Sequence, residues 1–195
     1  MFFKGAILGF SIAAPVGPIG VLAIARTLRS GRTAGLRTGL GAASADAVYG
    51  AAAACGLATL AGPMTAAAGW LRWAGGVFLL WCGIRLLLAS GRTKPSAPQR
   101  AAGGWFFSAF LLTLGNPMTI LAFAAMFGSL GVAGTAGRAV TLVAGVFLGS
   151  MAWWTILSTA VARAAGKLGG AWFKALDRVC GCTLVAFGLH AFLRR

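Results

Sequence analysis

Asp46 is one of only two acidic residues in the chain, and it stands inside an apolar stretch. It lies about eight residues into that stretch, roughly 12 Å along a helix. A carboxylate at such depth is costly and faces a cavity or a partner. Gly39, Ala42, Tyr49 and Gly50 share its helical face by their spacing. The small residues open space around the carboxylate, and Tyr49 adds a hydroxyl. Asp46 there could bind an ammonium group or carry a proton. The competing reading is a structural ion pair with Arg26 or another nearby arginine.

Two interruptions of apolar runs offer the complementary chemistry. Pro15-Val16-Gly17-Pro18 breaks the first run, and Gly115-Asn116-Pro117 breaks the fourth. Pro18 and Pro117 lack an N–H and crowd the preceding turn, so upstream carbonyls lose their partners. Unpaired backbone is tolerated at membrane depth only within protein or beside a water-filled cavity. Freed carbonyls can hold a cation, and a half-helix N-terminus can hold a carboxylate. An amino acid offers both groups. Taken singly, each break reads equally well as a kink.

The remaining reactive side chains form no recognisable centre. Cys55, Cys82, Cys180 and Cys182 lie in or beside apolar runs, and the only histidine, His190, is eight positions beyond Cys182. Cys180-Gly181-Cys182 could hold a soft metal, but a usable site needs several convergent ligands, so small packing residues are the favoured reading. The spans carry no paired acids, Ser/His pair or histidine cluster, so no enzyme, metal site or cofactor is expected. Asp177, between Lys174 and Arg178, reads as a solvated acid at a helix start. Ser44 and Ser150 are candidates to line a cavity or to pack helices. The tryptophans read as interfacial belt and packing.

These residues need apolar elements to hold them. Of 195 residues, 59% are hydrophobic and 10% charged, against about a quarter charged in soluble domains. A spanning helix takes about 20 apolar residues. Six spans are expected, at about 5–25, 38–60, 70–88, 105–127, 139–162 and 173–192. A basic loop would join the first two, and a turn with Gly62-Pro63 the next two. Met1 to Ala14 resembles a leader peptide, but the apolar pattern continues, so it reads as the first span.

The net charge of +15 would suggest nucleic acid in a soluble chain. Here the basic residues sit between apolar spans, so the partner is the lipid bilayer and not nucleic acid. The loops after spans one, three and five carry twelve Lys and Arg: Arg26, Arg29, Arg32, Arg37, Arg85, Arg92, Lys94, Arg100, Arg163, Lys167, Lys174 and Arg178. The other side carries five. That bias puts the odd loops in the cytoplasm and both termini outside.

The stretch 90–104, SGRTKPSAPQRAAGG, is the only linker-like segment, and it divides a first half, 1–89, from a second, 105–195. With three spans each, the halves must be inverted relative to one another. The expected fold is all-α and membrane-embedded: six transmembrane helices as two inverted three-helix repeats, the first and fourth helices broken. Paired breaks at corresponding positions point to a midplane site. Its expected residues are Pro15, Gly17, Pro18, Asp46, Tyr49, Asn116 and Pro117. The 30 glycines suit close helix packing, and exposed small-residue faces are compatible with a homodimer.

The segments APVGPIG (14–20), GRTAGLRTGLGAASAD (31–46), WLRWAGGVFLLWCGIRLL (70–87) and FLLTLGNPMTILAF (110–123), in this order, resemble the LysE/RhtB family of bacterial amino-acid exporters. The resemblance covers most of the chain. It implies a six-helix translocator of the bacterial inner membrane that exports amino acids or related metabolites, coupled to the proton gradient. It also implies that Pro15, Gly17 and Pro18 match the first family signature, Asn116 and Pro117 the second, and Asp46 a position that is often acidic. PVGP replaces the commoner PGP, and Met118 replaces a frequent lysine; both bear on the substrate. The superfamily includes metal-ion exporters, so the alternatives are a heavy-metal cation exporter and a non-transporting membrane subunit.

Overall fold

The computed structural model describes residues 1–15, 17–54, 61–89, 102–116, 119, 122–123, 136–166 and 170–193. These residues form helices, with no strand among them. The helices are α1 (Phe2–Ala13), α2 (Pro18–Ser30), α3 (Arg32–Ala54), α4 (Ala61–Ala89), α5 (Ala102–Leu114), α6 (Ala136–Ala165) and α7 (Gly170–Leu193). The chain is an all-α membrane protein.

Among the described residues, 137–165 and 174–193 are long and apolar enough to cross a bilayer, and α1 with α2 passes that test as a bent pair. Shorter apolar helices cover 73–88 and 104–114. Large apolar side chains such as Phe3, Val140 and Leu88 are exposed, as lipid-facing positions must be.

The break in the first span has a local cause. Pro18 occupies the first position of α2, where its missing N–H costs nothing and its fixed φ suits the helix. Gly17 caps it in extended conformation, and its carbonyl accepts the first helical bond, from Val21 N at 3.0 Å. The two half-helices meet at 78°.

The expected basic loop of residues 26–37 is instead helix on both sides of one residue. Gly31, at φ +82°, turns the chain between α2 and α3. Only glycine adopts that region without penalty, and a single such residue suffices for the corner. Arg26 is consequently no loop residue. It joins three helices, donating to Thr38 Oγ1 (3.1 Å), the Trp105 carbonyl (3.1 Å) and Ser108 Oγ (2.8 Å). Likewise Gly62-Pro63 is no turn but the first turn of α4, where proline is tolerated.

Small residues set the packing. Gly5 and Gly9 of α1 face Gly145 and Gly149 of α6, each pair four apart and so on one face. A Cβ on Gly9 would come within 2.0 Å of the Val146 carbonyl oxygen, and one on Gly149 within 2.0 Å of that of Ala6. The two backbones touch, as small residues permit in a bilayer. Gly41 plays the same part between α3 and α5, against the Phe106 carbonyl. Gly76 and Gly83 of α4 meet Gly188 and Gly181 of α7 in antiparallel order. α3 and α6 are also antiparallel, with Gly39 against Trp154 and Gly50 against Val146. A core of Val21, Leu22, Ala25, Leu79, Leu86, Cys180 and Leu184 ties α2 to α4 and α7.

Asp177 departs from its sequence reading. α7 begins at Gly170, so Asp177 lies about two turns inside the helix and faces α2. It is 8% exposed and takes both arms of Arg29, Nη2 to Oδ2 at 2.8 Å and Nε to Oδ1 at 3.2 Å. The pair crosses from the first half of the chain to the second.

Candidate functional site

The two breaks and Asp46 converge. A cavity of about 50 Å³ is lined by Ile12, Ala13, Pro15, Gly17, Pro18, Ile19 and Gly20 around the first break. Ala42 and Asp46 of α3, Thr113, Asn116 and Thr119 around the second break, and Trp154 of α6 close it. Five of the seven residues expected from the sequence thus share one cavity: Pro15, Gly17, Pro18, Asp46 and Asn116. Pro117 lies outside the described residues. At about 10–15 Å³ per water, the space holds a few waters and no amino acid.

Each wall has a distinct charge character. Asp46 is buried at 3% exposure. Ser150 Oγ donates to its Oδ2 at 2.7 Å, and Trp154 Nε1 donates to Ser150 Oγ at 3.1 Å. Among the described residues no Lys or Arg pairs with it. The suggested partner Arg26 is committed elsewhere, which removes that ion pair. The start of α2 lines the same cavity. The N–H groups of its first turn, including those of Ile19 and Gly20, have no partner within the helix, and the helix dipole adds positive character there.

Tyr49 sits beside the cavity rather than in its lining. Its hydroxyl donates to the Leu114 carbonyl, and its ring stacks on Phe123 with centroids 5.6 Å apart. Leu114 ends α5, so Tyr49 satisfies an acceptor that the second break releases. The break itself is a tight turn, with Gly115 N bonded to Leu111 O (2.9 Å) and Asn116 N to Thr113 O (3.1 Å). Thr119 N then bonds to Asn116 O at 3.0 Å.

Sequence reasoning missed Trp154, Thr113 and Thr119. Ser150 and Trp154 are four apart and so share one face of α6, the one available signal for the tryptophan. Thr113 sits two residues before the Gly115 break. Ser44 is half-buried and bonds back to its own helix at Leu40 O (2.8 Å), outside the cavity lining. Cys180 is buried and Cys182 exposed. Two positions apart on a helix, they face different ways, so their thiols do not converge.

The model of the LysE type translocator family matches residues 10–195. The chain belongs to this family. A LysE-type translocator is a transporter and not an enzyme. Among relatives, the chain is 34% identical over 174 residues to "Uncharacterized membrane protein YahN" of Escherichia coli (strain K12), covering 84% of this chain and 76% of that protein. It is 28% identical over 205 aligned positions to "Putative amino acid efflux protein YcgF" of Bacillus subtilis (strain 168), covering 97% of this chain and 94% of that protein. No solved structure matches it.

Proposed function

We propose that this LysE-type translocator is a secondary exporter of amino acids or related small metabolites across the bacterial cytoplasmic membrane, driven by the proton gradient. The observation that carries the proposal is the cavity with a carboxylate on one wall and a helix N-terminus on another. The ammonium of an amino acid goes to Asp46, and its carboxylate to the first-turn N–H groups of α2. Asn116, Thr113 and Thr119 supply the remaining polar lining, with Pro117 completing the second break. Tyr49 is a positioning residue that fixes the end of α5. The efflux relative in Bacillus subtilis supports the substrate class.

The cavity is too small for its cargo, so this conformation is a closed one. Admission requires the helices around the breaks to part. Exchanging α1 with α5, α3 with α6 and α4 with α7 preserves the four most extensive helix contacts: α1 packs along α6 as α5 packs along α3, while the α3–α6 and α4–α7 contacts map onto themselves. That exchange supports two inverted three-helix repeats rocking about a shared site. The charge bias supports cytoplasmic odd loops and both termini outside. Protonation of Asp46 on the outward side then releases the ammonium, which couples export to the inward proton gradient.

Liposomes holding the purified protein and a labelled amino-acid mixture test the reading. Under an imposed pH gradient, a subset of amino acids should leave at a rate that collapses with an ionophore. Cadmium flux without amino-acid flux, from protein shown to be folded, would replace the proposal with a metal exporter. Flux of neither would point to a non-transporting subunit.

A further inference from the structure

A second hollow lies on the outer face of the bundle, away from the translocation cavity. It is a groove of about 290 Å³ along the α3–α6 seam. Leu36 and Leu40 of α3 and Met151 of α6 give it an apolar lining, and Arg32 and Arg37 belong to it near the start of α3. Both arginines are exposed. Arg32 is fixed toward α6, its Nε donating to Thr159 Oγ1 at 3.0 Å.

Among the described residues, neither cation has an anionic partner. The chain has two acidic residues in all: Asp177 is held by Arg29, and Asp46 is buried at the cavity. The two exposed guanidinium groups are thus open to an external anion. From Arg32 to Leu40 the helix rises about 12 Å. The two arginines fall within its first two turns with Leu36 between them, and Leu40 lies beyond, an order that suits a phospholipid headgroup near the helix start and its chain carbons further along.

We propose that this groove binds an anionic phospholipid, with its phosphate between Arg32 and Arg37 and one acyl chain along Leu36, Leu40 and Met151. The arginines match the charge, and basic pockets between transmembrane helices are suited to such headgroups. A free phosphate leaves the apolar lining unused. A second copy of the chain, docked by twofold symmetry, brings its own Arg32 and Arg37 to the same place with no acid to meet them. The lipid bridges α3 of the first half and α6 of the second, at the seam whose inner side carries Asp46 and Ser150. The inference stands apart from the identity of the exported solute.

The test is lipid retention by the purified protein, read by native mass spectrometry and titration with phosphatidylglycerol and phosphatidylcholine. The wild type should keep one phosphatidylglycerol in marked preference to phosphatidylcholine. The double variant Arg32→Gln/Arg37→Gln should lose about 30-fold of that preference, from the attraction typical of two basic residues near an anionic lipid surface. Leu40→Trp, which fills the groove and keeps both arginines, should also lose retention; it carries the test should the double variant not fold. Arg178→Gln, an exposed arginine on α7, should leave binding unchanged. Equal retention of the two lipids by the wild type, or an unchanged preference in the double variant, would overturn the site. Displacement by millimolar inorganic phosphate would make it a phosphate site instead. Crosslinking of two Leu40→Cys copies would make it a contact between protomers.

Discussion

Replacing Gly9 by alanine probes the tightest seam among the described residues. The new Cβ would sit 2.0 Å from the Val146 carbonyl oxygen, whereas ordinary contact begins near 3.4 Å, so α1 and α6 must separate by about 1.4 Å. A gap of about an ångström forfeits up to half of each dispersion contact along the seam. Overpacking of this kind costs about 1–3 kcal/mol. At roughly 2–4 °C per kcal/mol for a chain of this length, thermal unfolding in detergent should fall by about 2–12 °C. Gly149→Ala meets the Ala6 carbonyl at the same 2.0 Å and should cost as much. The double variant should cost less than the sum, because the first separation makes room for the second methyl. Gly137→Ala, with nothing within 4 Å, should be neutral or stabilising by up to about 1 kcal/mol. The reasoning is refuted if Gly9→Ala is as harmless as Gly137→Ala, or if the paired losses add in full.

Tyr49→Phe strands the Leu114 carbonyl and should destabilise by about 1 kcal/mol. Flux should slow with the set of transported solutes unchanged; an altered set would place Tyr49 in the binding site itself. Asp177→Asn unpairs Arg29, whose side chain is 31% exposed against 11% for the aspartate. That exposure discounts the loss to about 1–3 kcal/mol, between surface and buried pairs. The swap Arg29→Asp/Asp177→Arg should recover most of it in a double-mutant cycle. Ser150→Ala removes both the donor to Asp46 and the acceptor of Trp154 Nε1, at about 1–3 kcal/mol for each stranded partner. Transport per folded molecule should drop, and Ser150→Thr should retain it; equal flux in Ser150→Ala would leave the serine a packing residue.

Much of the site was legible because its signals are local. A proline that lacks an N–H breaks a helix wherever it stands, so both breaks could be read from residues 15–18 and 115–117. Asp46 stood out because a lone acid in an apolar run has few inexpensive explanations. Pairings across the bundle were not legible. Nothing near Asp177 in sequence distinguishes a solvated acid from one that takes Arg29, because the partner lies on another helix 148 positions away. Trp154 read as packing because the serine it donates to is meaningful only once α6 lies against Asp46. The corner at Gly31 was hidden by its arginine neighbours: a run of charge suggests a loop, yet long basic side chains extend from helices to reach polar partners or water. Arg26 does so by reaching α3 and α5. Tyr49 was correctly placed on the face of Asp46, but its hydroxyl serves the end of α5.

The central claim is that solute passes between the two breaks and meets Asp46. Flux from liposomes of equal protein content, comparing wild type, Asp46→Asn and Asp46→Glu, tests it most directly. The account predicts that Asp46→Asn loses gradient-driven export by at least about 100-fold, the loss of roughly 2.7 kcal/mol of interaction, while the variant remains folded. Asp46→Glu should keep a measurable fraction. Export by Asp46→Asn at the wild-type rate, with the same response to the gradient, would contradict the account and return the carboxylate to a structural role beside Ser150.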